Sequence, residues 1–436
     1  VKTLRTAQKL LTLCALLCAA TLWLGNEECA PSAASTDAQE APALPAETEA
    51  ALRSAMANLA THDLRGARRD FNFALQRSPE SGQARLGAAL TRLLLLPEEP
   101  PVVALARDLG GEPVLWQEAV FSEGGLLDTL ANDDDDARRD DALDRLLPWP
   151  RALAEEPARI ADALPPDLTF NALIPHLEGA ADALEAVAGE LHAGLQAPDF
   201  TPFVFPLTTF HGATRIVLGA SEVLVLEGGL RLGAAALRWL TAYDWPQRMG
   251  ALDSQSTRSA RVHHLNEGAL RAVTRPAALP QAQDQLALGL QRLRLALELA
   301  PLGQGSLRLE QLPEAANGAL QRLLGALEAA LTRPTPLPDT RPPATLALAP
   351  LFAGRALSPD LNLLRAAPGE DGEEEISLDY NGLRDFLLRD VLSPDCDLDP
   401  DAPANCPTFQ HEGQDLLDLS EQISAPLQRN IEEDYR

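Results

Sequence analysis

The chain has 436 residues, enough for two or three domains, with 63 acidic against 36 basic residues for a formal net charge of -27. That balance argues against a nucleic-acid binder, which needs a cationic surface to displace counterions from phosphates, and disfavours anionic lipid headgroups as partners. Only 4% of the residues are aromatic and 35 are proline in an Ala-, Leu- and Arg-rich background, so the expected fold is mostly α, with helices punctuated by proline-bearing loops.

Residues 1–29 carry the parts of an export signal. Lys2, Arg5 and Lys9 form a positive start, and Leu10 to Gly25 is an uncharged apolar run, shorter than the roughly 20 residues a spanning helix needs. Small residues follow at Ala30, Ser32, Ala33 and Ala34, and a valine at position 1 fits an alternative bacterial start codon. The expectation is a bacterial envelope protein, periplasmic or outer-envelope associated, with no transmembrane helix in the mature chain. Of the five cysteines, Cys14 and Cys18 lie in the apolar run, Cys29 just beyond it, and Cys396 and Cys406 near the other end. Cleavage after Ala33 or Ala34 leaves the last two, which can bridge in an oxidising compartment and stabilise by roughly 2–3 kcal/mol. The alternative is a lipid anchor on Cys29. Lipoprotein signals place a leucine and two small residues before the acylated cysteine, whereas Asn26, Glu27 and Glu28 precede Cys29, which favours the soluble exported form.

Residues 30–46 are Ala, Pro, Ser and acidic residues without a periodic apolar face, and are expected to form a disordered linker. Helices are expected from Glu47. Leu52, Met56 and Leu59 make one stripe, Ala67 to Arg77 a second helix, and Gln83 to Leu96 a third that stops at Pro97. Within residues 63–79, DLRGARRDFNFALQRSP, small residues at Ala67 and Ala74 permit close helix approach, Phe71 fills the groove between helices, and Pro79 ends the helix. These offsets resemble the second helix of a tetratricopeptide repeat (TPR) hairpin. The resemblance covers residues 47–97. The first helix departs from the family, with Ala51 in place of a large aromatic and Asn58 in place of Tyr, and no second repeat follows Pro97. Repeats stabilise one another by stacking, so a lone hairpin must pack on the helices that follow. The resemblance implies recognition of a protein or peptide partner through helix faces.

Residues 98–335 are expected to form an α-helical body, an array or bundle. The Asp133 to Asp136 run reads as a solvated helix start in preference to a cation site. Leu173, Leu177, Ala180, Leu184, Val187 and Leu191 recur at steps of four and three, one face of a long helix. FVFP and RIVL predict a small β-hairpin over 203–218. Ser221 offers an N-cap for a helix through Val223, Leu226, Leu230, Ala234, Leu237 and Thr241, and Glu227, Arg231 and Arg238 interrupt its apolar length enough to argue against a membrane span. Leu286 to Leu299 alternates like a strand, yet its length and its Ala, Gln, Arg and Glu filling predict a central helix. Leu320, Leu323, Leu324, Leu327 and Leu331 mark another. Residues 336–436 follow a proline-rich break and read as a loop-rich tail with one helix, Tyr380 to Val391, and the cysteine loop.

Candidate chemistry is sparse. Asp395, Asp397, Asp399 and Asp401 alternate as calcium ligands can, but Pro400 stands at the sharp-turn glycine position of an EF-hand loop and Cys406 at the closing glutamate. A disulfide-closed acidic surface loop is the preferred reading, and a structural calcium is the one cofactor left open. His263, His264 and Glu267 lack a third protein ligand and an HExxH pattern. Trp239, Tyr243 and Trp245 either line a ligand groove or plug a bundle end. No nucleophile elbow, phosphate loop or dinucleotide fingerprint is present. The expected function is a non-catalytic exported scaffold whose groove, including Phe71, binds a protein or peptide partner, basic or cation-bridged. One alternative is a periplasmic ligand-binding accessory subunit of an uptake system, with a cavity near Trp239 and Tyr243. The other is a helical-fold glycan-active enzyme, which requires two convergent carboxylates about 5–10 Å apart.

Overall fold

A computed structural model describes residues 44–108, 169–209, 212–244, 272–302, 314–336, 338, 345–354, 364–368 and 374–378. The fold is mostly α, with three two-stranded antiparallel pairs among the described residues. Helix α1, Ala46–Ala60, and helix α2, Leu64–Arg77, form a hairpin closed by a three-residue turn. Asp63 caps α2 by accepting the Gly66 amide at 2.9 Å, one of the four N–H groups that a helix start leaves without a partner. A Cβ at Gly66 would meet the Asp63 carboxylate at 2.2 Å and push the cap aside. His62 makes the turn with a φ of 62°, a left-handed conformation that costs a non-glycine residue about 1 kcal/mol.

Ser81 caps helix α3, Gly82–Leu94, through the Ala84 amide, and helix α4, Pro100–Asp108, follows a short 3-10 turn, Leu96–Glu98. Helix α5, Phe170–Leu195, buries the stripe Leu173, Leu177, Ala180, Val187 and Leu191, and packs on α3 and α4. The α3–α5 contact is close because glycines face each other. A Cβ on Gly194 would lie 2.8 Å from Leu86, and one on Gly82 2.9 Å from Ala197. Asp199, just past α5, accepts the Gly82 amide at 2.8 Å and locks the start of α3 to a residue 117 positions away.

Strand β1, Phe203–Thr209, pairs with β2, Gly212–Leu218, from Phe203↔Leu218 to Thr209↔Gly212. Phe203 and Phe205 point inward while Val204 is exposed, the period of two that a half-buried strand shows. This inner face covers α1 and α3, and the Phe203 ring lies 6.1 Å from that of Phe71. The helical hairpin is therefore supported by α3 and by a strand pair, and α3 in turn rests on α5.

Helix α6, Ala220–Ala242, packs on α5 and, most extensively, on helix α7, Ala278–Leu299, which in turn packs on helix α8, Glu314–Ala330. Gly228 and Gly289 let α6 and α7 cross backbone to backbone, since a Cβ on either would approach the other's carbonyl to about 3 Å. The expected Ser221 cap is corrected here. The helix begins two residues earlier, behind Gly219, whose amide is accepted by Glu222 at 2.9 Å, and the Ser221 hydroxyl donates to that same carboxylate instead of capping the backbone. The expected division near residue 336 is also crossed. Strands β3, Thr335–Pro336, and β4, Thr345–Leu346, pair across it, and the 3-10 turn Ala349–Phe352 returns onto α7. A further pair, β5, Leu364–Pro368, and β6, Glu374–Leu378, carries no strand expectation from the sequence. Among the described residues no helix is long and apolar enough to cross a membrane.

Candidate functional site

The sequence of α2 divides cleanly around its axis. Leu64, Ala67, Phe71 and Ala74 are fully buried, spaced three and four apart toward α1 and α3. Phe71 settles on Gly87 of α3, where an added Cβ would meet its ring at 2.3 Å. Phe71 is thus a core residue, and its assignment to a partner groove is corrected: with no exposed surface, it has nothing to offer a partner. The opposite face of α2, Arg65, Arg68, Arg69, Asn72, Phe73 and Gln76, lines an open groove of about 710 Å³ whose other wall is Leu95, Glu98 and Glu99. Arg65 donates to Glu98 at 2.7 Å, which raises its pKa through that hydrogen bond and the adjacent negative charge. Arg68 approaches Glu99 at 3.4 Å, and Arg69 donates to Asp70 at 3.1 Å. Phe73 is 41% exposed, with the Arg77 guanidinium 5.3 Å above its ring. A second hollow of about 320 Å³ begins at Asn72 and runs past Leu75 and Pro79 to Arg85, Glu190 and Ala193.

The aromatic pair expected at a groove or a bundle end is in contact with the returning chain. The Trp239 and Tyr243 rings meet at a tilt of 53° with centroids 4.8 Å apart, and both residues donate to the Leu351 carbonyl, at 3.1 and 3.0 Å. Burial pushes the Tyr243 hydroxyl up to about 12, against a weaker opposing hydrogen bond with Trp239. Both polar tips are spent internally, as a plug requires.

A second polar constellation went unread in the sequence. Glu227 of α6 is fully buried and accepts from Arg231 at 2.8 Å, from Arg292 of α7 at 3.0 Å and from His192 of α5 at 3.2 Å. Arg231 extends the cluster to Gln285 of α7 at 3.0 Å. One carboxylate therefore ties three helices, and its single negative charge is shared by two guanidinium groups. Arg238 adds bridges from α6 to Glu185 and Asp182 of α5. The three residues that break the apolar run of α6 are its links to its neighbours. Glu222, also fully buried, spends one oxygen on the Gly219 amide and the Ser221 hydroxyl, while its other oxygen has no hydrogen-bond partner.

Among the described residues no group of three or more His, Cys, Asp or Glu could hold a metal ion. Several expectations fall on residues outside those described: the 1–29 signal with Cys29, most of the 30–46 linker, the Asp133 to Asp136 run, Trp245, and His263, His264 and Glu267. The same holds for the Tyr380 to Val391 helix, the aspartates Asp395, Asp397, Asp399 and Asp401, and the Cys396–Cys406 pair. No known protein family, curated protein or solved structure matches the chain.

Proposed function

We propose that the protein is a non-catalytic helical scaffold that binds a protein or peptide partner, and that it does so along α2. The observation that carries this reading is the groove of about 710 Å³, in which six consecutive positions of one helix face meet solvent with an exposed phenyl ring among them. The TPR-like offsets of α2 support it, and the signal-like segment at residues 1–29 supports an envelope location. The uptake-subunit alternative loses its proposed ligand site, because Leu351 occupies the polar tips of Trp239 and Tyr243. The glycan-enzyme alternative finds little support in the groove, where Glu98 and Glu99 are engaged by Arg65, Arg68 and Arg92.

A photo-reactive amino acid in place of Phe73, with a control in place of the exposed Arg53 on α1, tests this in cells that make the full chain. A discrete adduct from position 73 and none from position 53 is expected. Identical patterns, or no adduct at either position, would remove the scaffold assignment.

A further inference from the structure

We infer that the α2 groove selects an acidic segment in extended conformation, an inference that rests on the scaffold reading above. The first observation is charge. The groove carries three arginines, Arg65, Arg68 and Arg69, against two glutamates, Glu98 and Glu99, a positive excess in a chain whose net charge is -27, and α2 as a whole has four arginines to one aspartate. Residues 44–108 hold equal numbers of arginines and acidic residues, so this helix is a basic strip on a neutral unit. Arg65 and Arg69 are about three-quarters exposed. A guanidinium has five N–H donors in a fixed fork, and Arg65 spends two on Glu98 while Arg69 spends one on Asp70. The remaining donors face solvent at the groove mouth, where a carboxylate can take them as a charge-assisted pair.

The second observation is the amide pair between these arginines and the end of the helix. Asn72 and Gln76 are exposed and line the groove, and their side chains make no hydrogen bond among the described residues. They stand one turn apart, about 6 Å along the axis. Two residues of extended chain rise about 6.6 Å. Each amide has a donor and an acceptor and so can pair with the backbone of alternate residues in a strand laid along α2. Side chains between the paired positions then turn to one side of the strand, toward the arginines or toward Phe73. The span from Arg65 to Gln76 is about 16 Å, the length of roughly five extended residues. The chemistry that fits is thus a short stretch of alternating Asp or Glu with at least one apolar side chain for the Phe73 ring. Like charge would repel a basic segment from the same strip.

Selection of a displayed random heptapeptide library on the immobilised full chain tests the inference, followed by fluorescence anisotropy of the enriched peptides. Enrichment of Asp and Glu with an apolar residue is expected, with affinity that falls as salt is raised. R69E and the pair N72A/Q76A should each weaken the enriched peptide by about tenfold or more, with unchanged circular dichroism because all three side chains are exposed. Enrichment of Lys and Arg, acidic binding indifferent to these substitutions, or no enrichment over a blank surface would overturn it. A position-73 adduct alongside any of those outcomes leaves the scaffold and removes only its acidic preference; absence of both removes the two together.

Discussion

Glu227 has no water-facing surface, and its oxygens are shared among α5, α6 and α7. Removing it leaves Arg231 and Arg292 close together with no counter-charge, in surroundings of lower dielectric than water, so the loss is larger than the worth of any one bond. Glu227→Ala is expected to destabilise by about 3–5 kcal/mol, and Glu227→Gln, which keeps volume but not charge, by less. Urea unfolding of the two variants checks the order; equal and small losses would show that the cluster contributes no more than an exposed pair. A sequence reading could see that Glu227, Arg231 and Arg238 interrupt an apolar helix. It could not see that the interruptions meet His192 and Arg292, because nothing local specifies partners 35 and 65 positions away. The groove was hidden for a related reason. Arg65, Asn72 and Phe73 look like ordinary solvated positions until the turn at Leu95–Glu99 raises a second wall opposite them.

At the level of elements, periodicity is a local property, and it locates α5, α6 and α8 because one buried stripe per helix suffices to mark them, whereas α7 is marked by its length and its Ala, Gln, Arg and Glu filling. The strand-like leucines of α7 resolve as a helix with several partners: α6 on one side, α8 on another, and the Ala349–Phe352 turn near its start. Residues 364–378 escaped notice because their strands are only five residues each and lack a clear apolar alternation. The α2–α3 contact offers a sharp test of packing. Phe71 uses the space that Gly87 leaves empty, and any Cβ there must displace the ring. Gly87→Ala raises intrinsic helix propensity by about 1 kcal/mol, yet it is expected to destabilise by about 1–3 kcal/mol net, since overpacking of a tight core outweighs the backbone gain. A thermal melt of this variant that matched or exceeded the parent would show that the ring moves freely, and the tight-packing account would fail.

Across the whole molecule, the charge of -27 acts as self-repulsion that compaction must overcome. The bridges that link α5, α6, α7 and α8 are partly or fully buried and are weakly screened, whereas repulsion among dispersed surface carboxylates is strongly screened. Raising ionic strength from 0.01 to 0.15 M shortens the screening length from about 30 to 8 Å, so stability is expected to rise by about 1–2 kcal/mol, a few degrees in Tm. Calorimetry across that range decides the sign. A falling Tm would mean that exposed ion pairs outweigh the net charge.

The bond between Asp199 and the Gly82 amide also constrains the order of assembly. The residues that seat the first three helices, Leu191 and Gly194 on α3 and Phe203 beside Phe71, are synthesised more than a hundred positions after them. A nascent chain that has released only its first hundred residues has therefore made the hairpin's sequence but not its full seat: Phe71 can settle on Gly87, while the ring face that meets Phe203 and the Gly82 end of α3 wait uncovered until that later stretch leaves the ribosome.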